Sequence, residues 1–163
     1  MSLVIETGAG ISGANSYVTD NEYVSYAADR GLTIGSTATA RKIELIKSMD
    51  YLFNRERNMR GTRTLDDQEN IYPRENVYIR SVLLDSDAIP TELKNAQMEG
   101  GIAAKAFALL VNKKESNVKK SRLGQLEVEY FDSGSWETIR IERVDNYLRP
   151  LLVSGGISRT VRQ

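Results

Sequence analysis

The segment from Pro90 to Val111, PTELKNAQMEGGIAAKAFALLV, is the longest apolar-periodic stretch in the chain. Its pattern restricts what the rest can fold into. At helical spacing, Leu93, Ala96, Gln97, Gly100, Ala103, Ala104, Phe107 and Val111 share one broad face. Met98, Ile102 and Leu109 form a narrower stripe on roughly the opposite side. A helix that is apolar on two sides has to be covered on both. It is either the central element of a bundle, or a helix whose second face meets another subunit. Pro90 suits the first turn, where its missing N–H is not needed. Gly100–Gly101 weakens a helix by about 1 kcal/mol per Gly relative to Ala, and close packing of a neighbour is the compensation such a pair offers.

Before this helix, Leu3 to Ile5 is a short apolar run followed by the glycine-rich TGAGISGANS. The glycines lack the order of a phosphate-binding loop, and no Gly-Lys-Ser/Thr ending follows, so a flexible lead-in arm is expected. Thr19-Asp20-Asn21-Glu22 is a capping box. The short helix it opens turns Tyr23, Tyr26 and Ala27 inward and stops at Gly31. A second helix is expected from about Ala38 to Asn54, with Ile43, Leu45, Ile46, Met49, Leu52 and Phe53 inside and Arg41, Glu44, Lys47 and Ser48 outside. Burial of that face contributes about 1.5–3 kcal/mol per large side chain before entropy is counted.

The pattern then breaks. Arg55, Arg57, Arg60 and Arg63 stand against Glu56 alone, and Asp66, Asp67, Glu69 and Glu75 reverse the sign immediately afterwards. From Gly61 to Ala88 no helical periodicity is evident, which predicts a long irregular loop, a feature that in small domains tends to be functional. After the central helix, the basic stretch Lys113 to Arg122 precedes the alternating Leu126 to Tyr130. This reads as a β-hairpin turning at Gly124–Gln125, with Lys119 and Lys120 on a basic strand and Glu127 and Glu129 on an acidic one. Glu142 to Leu152 reads as a last short helix with Val144, Tyr147, Leu148 and Leu151 on one face. The tail 154–163, SGGISRTVRQ, offers Ile157, Arg159 and Val161 without an evident partner and is expected to be flexible.

The fold class expected is therefore mainly α: a bundle of about four helices with a small β-hairpin and a long irregular loop, in one domain over 1–153. At 163 residues the chain is long enough to build a core. Lys plus Arg equals Asp plus Glu at 22 each, so no global field favours nucleic acid or an anionic membrane. Cys and His are absent, which removes disulfides, thiolate nucleophiles, the commonest general base and the commonest zinc ligands. Asp66–Asp67 and Glu127–Glu129 are the carboxylate pairs that could be imagined as a metal or acid–base site. Adjacent acids in an exposed loop and alternating acids on a strand are ordinary solvated faces. No enzyme and no cofactor is expected, and no apolar run approaches the roughly 20 residues of a membrane span.

The signposts, taken in order, resemble a known family. ETGAG followed by ANSYVT, then Met49-Asp50-Tyr51-Leu52, Arg60-Gly61-Thr62-Arg63 and Gln68-x-x-Ile71-Tyr72-Pro73-Arg74 carry the first half of the likeness. Ile89–Pro90 opening an Ala-rich helix, and Leu123-Gly124-Gln125-Leu126-Glu127-Val128-Glu129-Tyr130, carry the second. Together they resemble the head–tail connector adaptors of tailed bacteriophages, a group often labelled DnaT-like single-stranded-DNA-binding proteins. The family pattern has Trp before Pro-Arg; Tyr72 departs from it but keeps an aromatic.

The resemblance implies a virion protein at the head–tail junction, made in the host cytoplasm. It implies a ring of copies, dodecameric in the common form, that contacts the portal protein above and a tail-side connector or stopper protein below, with non-specific contact to packaged DNA. The alternative it carries is a single-stranded-DNA-binding accessory protein. Candidate subunit or portal contacts are the stripe Met98, Ile102 and Leu109; the charge blocks Arg55, Arg57, Arg60, Arg63, Asp66 and Asp67; the hairpin positions Lys119, Lys120, Glu127 and Glu129; and Ile157, Arg159 and Val161 of the tail. The arginine run has a second reading as a solvated helix end that complements the macrodipole. The Met98 stripe equally has a second reading as another core layer.

Overall fold

The computed structural model describes residues 2–107, 109, 119–123, 126–130 and 140–153, with the strands at 119–123 and 126–130 defined by their backbone pairing. The chain divides into two compact units, Leu110–Arg140 and the remainder, Met1–Leu109 with Ile141–Gln163. The larger unit carries four helices: α1 (Asp20–Asp29), α2 (Ala38–Phe53), α3 (Thr91–Ala106) and α4 (Glu142–Leu148). Between α2 and α3 lie β1 (Thr62–Arg63), paired antiparallel with β2 (Arg74–Glu75), and the hairpin of β3 (Tyr78–Ile79) with β4 (Val82–Leu83). The smaller unit contains a hairpin of β5 (Lys119–Leu123) and β6 (Leu126–Tyr130). The mainly helical class expected from the sequence is the class observed, and the second hairpin is where the alternation placed it.

Central helix α3 packs against α2 on one side and α4 on the other. Leu93, Ala96, Gln97, Met98, Glu99, Gly100, Gly101 and Ala104 are all buried, so the helix is enclosed nearly all round. Gly100 lies tight against α2: a Cβ there would lie 2.2 Å from Ser48 Oγ. On the other stripe, Met98 joins Val18, Tyr23, Tyr26 and Leu45 in one apolar cluster, with Ile102, Leu3, Leu32 and Ile34 packed against it. The helix ends at Ala106, short of the Val111 boundary that periodicity suggested, and Phe107 is extended and exposed.

Local chemistry accounts for the first helix. In α1 the Thr19 hydroxyl accepts from Glu22 N at 3.2 Å, and the Glu22 carboxylate accepts from Thr19 N, closing the capping box. Gly31, at φ +60°, supplies the left-handed residue that ends it. The α2 face differs from the expected one. Leu45, Met49 and Leu52 are inside, but so are Glu44, Ser48 and Tyr51, while Ile43 and Phe53 face outward. Specific partners make this possible. Glu44 accepts from the Tyr23 hydroxyl at 3.0 Å and from Gly35 N at 3.1 Å, and Ser48 donates to Gln97 O at 2.7 Å. A buried polar group with its hydrogen bond made costs little, so the helix rotates toward the surface that lets it approach α3.

The glycine-rich N-terminal segment is a closed loop in place of the expected lead-in arm. Ile5 bridges to Ser16, and the buried Glu6 carboxylate accepts from the N–H groups of Gly8, Gly10 and Ile11 at 2.8–3.0 Å. A single internal anion gathers the loop's amides and folds it back on itself. Gly8, at φ +106°, lies so close to the Asp87 carbonyl that a Cβ would stand 1.6 Å from its oxygen.

The long loop is likewise built into the core. Gln68, Asn70, Ile71, Tyr72 and Arg74 are buried, and the Tyr72–Pro73 peptide is cis. Gln68 Nε2 donates to Asn70 O and Pro73 O, Asn70 Nδ2 donates to Ala14 O, and Tyr72 N donates to the Tyr17 hydroxyl. Burial pushes the Tyr72 phenol up to about 12, and its oxygen has no hydrogen-bond partner among the described residues. Replacing Tyr72 with Phe is therefore expected to leave thermal stability unchanged or raise it by up to about 1 kcal/mol, since the removed group is desolvated and unpaired. A loss above that size in a melting experiment would mean that the hydroxyl is bonded after all.

Candidate interaction surfaces

Most of the arginine run is engaged inside the larger unit. Arg55, just past α2, donates to the Tyr51 hydroxyl at 2.7 Å and pairs with Asp145 of α4 at 3.2 Å. Arg60 Nε donates to Leu152 O at 2.9 Å, and its Nη1 donates to Tyr78 O at 3.2 Å. One guanidinium therefore ties the β3–β4 hairpin to the segment leaving α4, which also forms a bridge between Leu152 and Met59. Arg63 grips Glu56 through two bonds of 2.7 and 2.9 Å and donates to Gln68 O. The buried Arg74 adds a second cation 3.5 Å from Glu56 and donates to the carbonyls of Arg60, Gly61 and Ile71. Arg57 is exposed.

Glu56 is thus the anion around which the start of the loop closes, and the Arg63 guanidinium holds its carboxyl below the usual glutamate range. Asp20 is held below the ordinary aspartate value in the same way by a two-bond contact with Arg41. A depressed folded-state pKa contributes stability above the unfolded value that is lost as pH falls through the folded one. Wild-type protein is therefore expected to lose stability as pH drops below about 4. Glu56→Gln should be less stable at pH 7 by about 1–2 kcal/mol and show a flatter acid limb. Urea unfolding at pH 7 and at pH 3.5 would check this; parallel acid limbs would remove Glu56 as a contributor.

Of the other expected contact residues, Met98 and Leu109 are buried and Ile102 is half-buried within the larger unit, so the chain itself covers this stripe. Asp66 and Asp67 are exposed, and among the described residues no group of three acidic side chains is placed to hold a metal ion. In the smaller unit the ladder register sets Lys120 opposite Glu129 and Arg122 opposite Glu127, the basic-against-acidic pairing read from the sequence. Lys119 lies opposite Tyr130. Ile157, Arg159 and Val161 lie outside the described residues.

Two exposed apolar surfaces emerge that periodicity did not select. On the β3–β4 hairpin, Tyr78, Val82 and Leu83 are 51%, 69% and 54% exposed. On the outer side of α2, Ile43 and Phe53 are 41% and 36% exposed. The hairpin had a signal in the sequence, two apolar pairs around the dipeptide Arg80–Ser81, but without Gly or Asn in the turn it does not announce itself. Five tyrosines go the other way: Tyr17, Tyr23, Tyr26, Tyr51 and Tyr72 are all buried.

Fold and surfaces together define a small helical bundle with short antiparallel ladders, cross-braced by arginines and exposing apolar side chains on the β3–β4 hairpin and the outer side of α2. The chain belongs to the family described as "Putative DnaT-like ssDNA binding protein", whose model matches residues 1–163, the whole chain. No curated protein and no solved structure matches it. Among the described residues, no helix is long and apolar enough to cross a membrane.

Proposed function

We propose that this chain is a structural virion protein, one subunit of an adaptor ring in a phage head–tail connector that joins portal to tail and helps retain the packaged genome. The observation that carries this reading is where the fold places its cations and its apolar surface. Arg55, Arg60, Arg63 and Arg74 bond to acids and carbonyls of the same unit, and five tyrosines are buried, while Tyr78, Val82 and Leu83 stand exposed on a hairpin. Exposed apolar groups on a braced element suit docking to protein; engaged cations and buried rings do not suit phosphate tracking or base stacking. The order of sequence motifs along the chain supports the same assignment, and the portal and a tail-side connector protein are the partners it implies.

The test is electron microscopy of particles made without this protein. DNA-filled or leaking heads lacking tails are the expected result. Normal tailed particles would overturn the reading.

The family description favours a second reading, single-stranded DNA binding. Its residues would lie in the smaller unit, where Lys113, Lys114, Lys119, Lys120 and Arg122 are followed by Tyr130, Phe131 and Trp136. Titration of a fluorescent oligonucleotide at about 50 mM and about 200 mM salt separates the two, because phosphate contacts weaken steeply over that range. Absence of binding at the lower salt leaves only the assembly reading.

A further inference from the structure

The outer side of α2 carries Ile43, Ile46, Asp50 and Phe53 at spacings of three and four, with Lys47 on the same side. Asp50 is an exposed acid in the middle of an exposed apolar stripe. No ion pair or hydrogen bond engages its carboxylate among the described residues, Lys47 included. The surrounding side chains remove enough water to push its pKa up. A carboxylate in such a place keeps contact with water but has no partner of its own among the described residues.

The β3–β4 hairpin has the opposite character. Arg80 stands at its turn, exposed and without a partner among the described residues, between strands that expose Tyr78 and Leu83 on one face and Val82 on the other. Arg80 and Ser81 both have positive φ, +51° and +68°, the mirror-image turn that matches strand twist but favours Asn-Gly. Non-Gly residues in that region are strained, and such strain persists only where the surroundings hold it. Here they do: Leu84 N donates to Val77 O at 2.8 Å and Arg60 clamps the Tyr78 carbonyl. The hairpin is a braced finger that displays a cation among apolar groups.

One chain thus carries an acid in an apolar stripe and a base on an apolar finger. We propose that the β3–β4 hairpin of one copy docks on the outer stripe of α2 in the next copy, with Arg80 meeting Asp50. The occupant of each patch is a second copy of this chain. Two different patches on one subunit give a head-to-tail contact, which propagates from copy to copy and closes a ring when the rotation permits. The inference rests on the assembly reading and deepens it by naming the subunit contact.

The chain has no cysteine, so engineered ones report the contact without background. Asp50→Cys and Arg80→Cys would be made singly and together, and oxidised both in concentrated purified protein and in virions. The expected result is a ladder of cross-linked species extending beyond dimer in the double variant alone, since each single variant can link at most two copies. A double variant no more cross-linked than the singles, with an unchanged melting temperature, overturns the contact.

Charge exchange gives a second readout. Asp50→Arg and Arg80→Asp should each weaken assembly at least about tenfold, and the two together should recover most of it. Failure of the combined variant to recover also counts against the pair. Presence of the protein in virions without a ladder would remove this contact alone. Its absence from virions would remove the adaptor reading instead.

Discussion

Gln97→Leu is expected to lower the unfolding free energy by about 1–3 kcal/mol. Gln97 is completely buried on α3 and joins three segments distant in sequence. Its Oε1 accepts from Tyr17 N at 2.8 Å, and its Nε2 donates to Ser16 Oγ at 3.0 Å and Leu45 O at 3.3 Å. Leucine fills nearly the same volume but leaves the Tyr17 N–H desolvated without an acceptor. The cost is then that of an unsatisfied buried donor, well above the net value of one hydrogen bond. Urea denaturation reads it as a lower midpoint with an unchanged slope. A change below about 0.5 kcal/mol would mean that the N-terminal segment is not held through this amide.

Gly100→Ala is the second large effect, and its sign runs against helix propensity. On an exposed helix the change would gain about 1 kcal/mol. Here the new Cβ would meet Ser48 Oγ at 2.2 Å and Ser48 Cβ at 3.1 Å. The hydroxyl would have to leave its bond to Gln97 O, and the two helices would have to part by a few tenths of an ångström. Overpacking of this kind costs about 1–3 kcal/mol, and the lost hydrogen bond adds to it. The net expectation is a loss of about 1–3 kcal/mol. Ser48→Ala in the Gly100→Ala background removes the closest atom, so the double variant should be more stable than the sum of the single effects predicts. Strict additivity would show that Ser48 and Gly100 do not set the α2–α3 distance.

These two residues also mark where the sequence was legible. Gly100–Gly101 in an apolar helix signals close packing, and the structure puts Ser48 and the Tyr23 hydroxyl against the pair. Nothing in the sequence says that the approaching partner is a serine, because Ser48 sits on what an apolar wheel assigns to the wet side of α2. Glu44, buried against Tyr23 and Gly35, is hidden from an apolar wheel for the same reason. Hydrophobic periodicity finds a buried face only when burial is apolar, and it is blind to polar groups whose partners come from another element. Glu6 shows this most clearly. Its three amide partners are local, yet a glycine-rich run reads as flexible until a buried anion is seen to gather it.

The candidate surfaces follow the same rule. Arg55, Arg60 and Arg63 form a visible basic block, but their acceptors are Asp145, two backbone carbonyls and Glu56, a set that only the folded chain assembles. Exposure of Tyr78, Val82 and Leu83 likewise depends on how the folded chain places the β3–β4 hairpin.

By itself the sequence determined the helical class, the capping box at Thr19, the α3 core and the pairing of basic and acidic strands at 119–123 and 126–130. Each of those follows from period, cap chemistry or charge over a few neighbouring residues. Only the tertiary structure decided how the stripe of Met98 and Ile102 is covered. Whether an apolar face meets its own chain or another depends on where distant segments come to rest. Here Val18, Tyr23, Tyr26 and Leu45 close over Met98 and Ile102 from within the same unit.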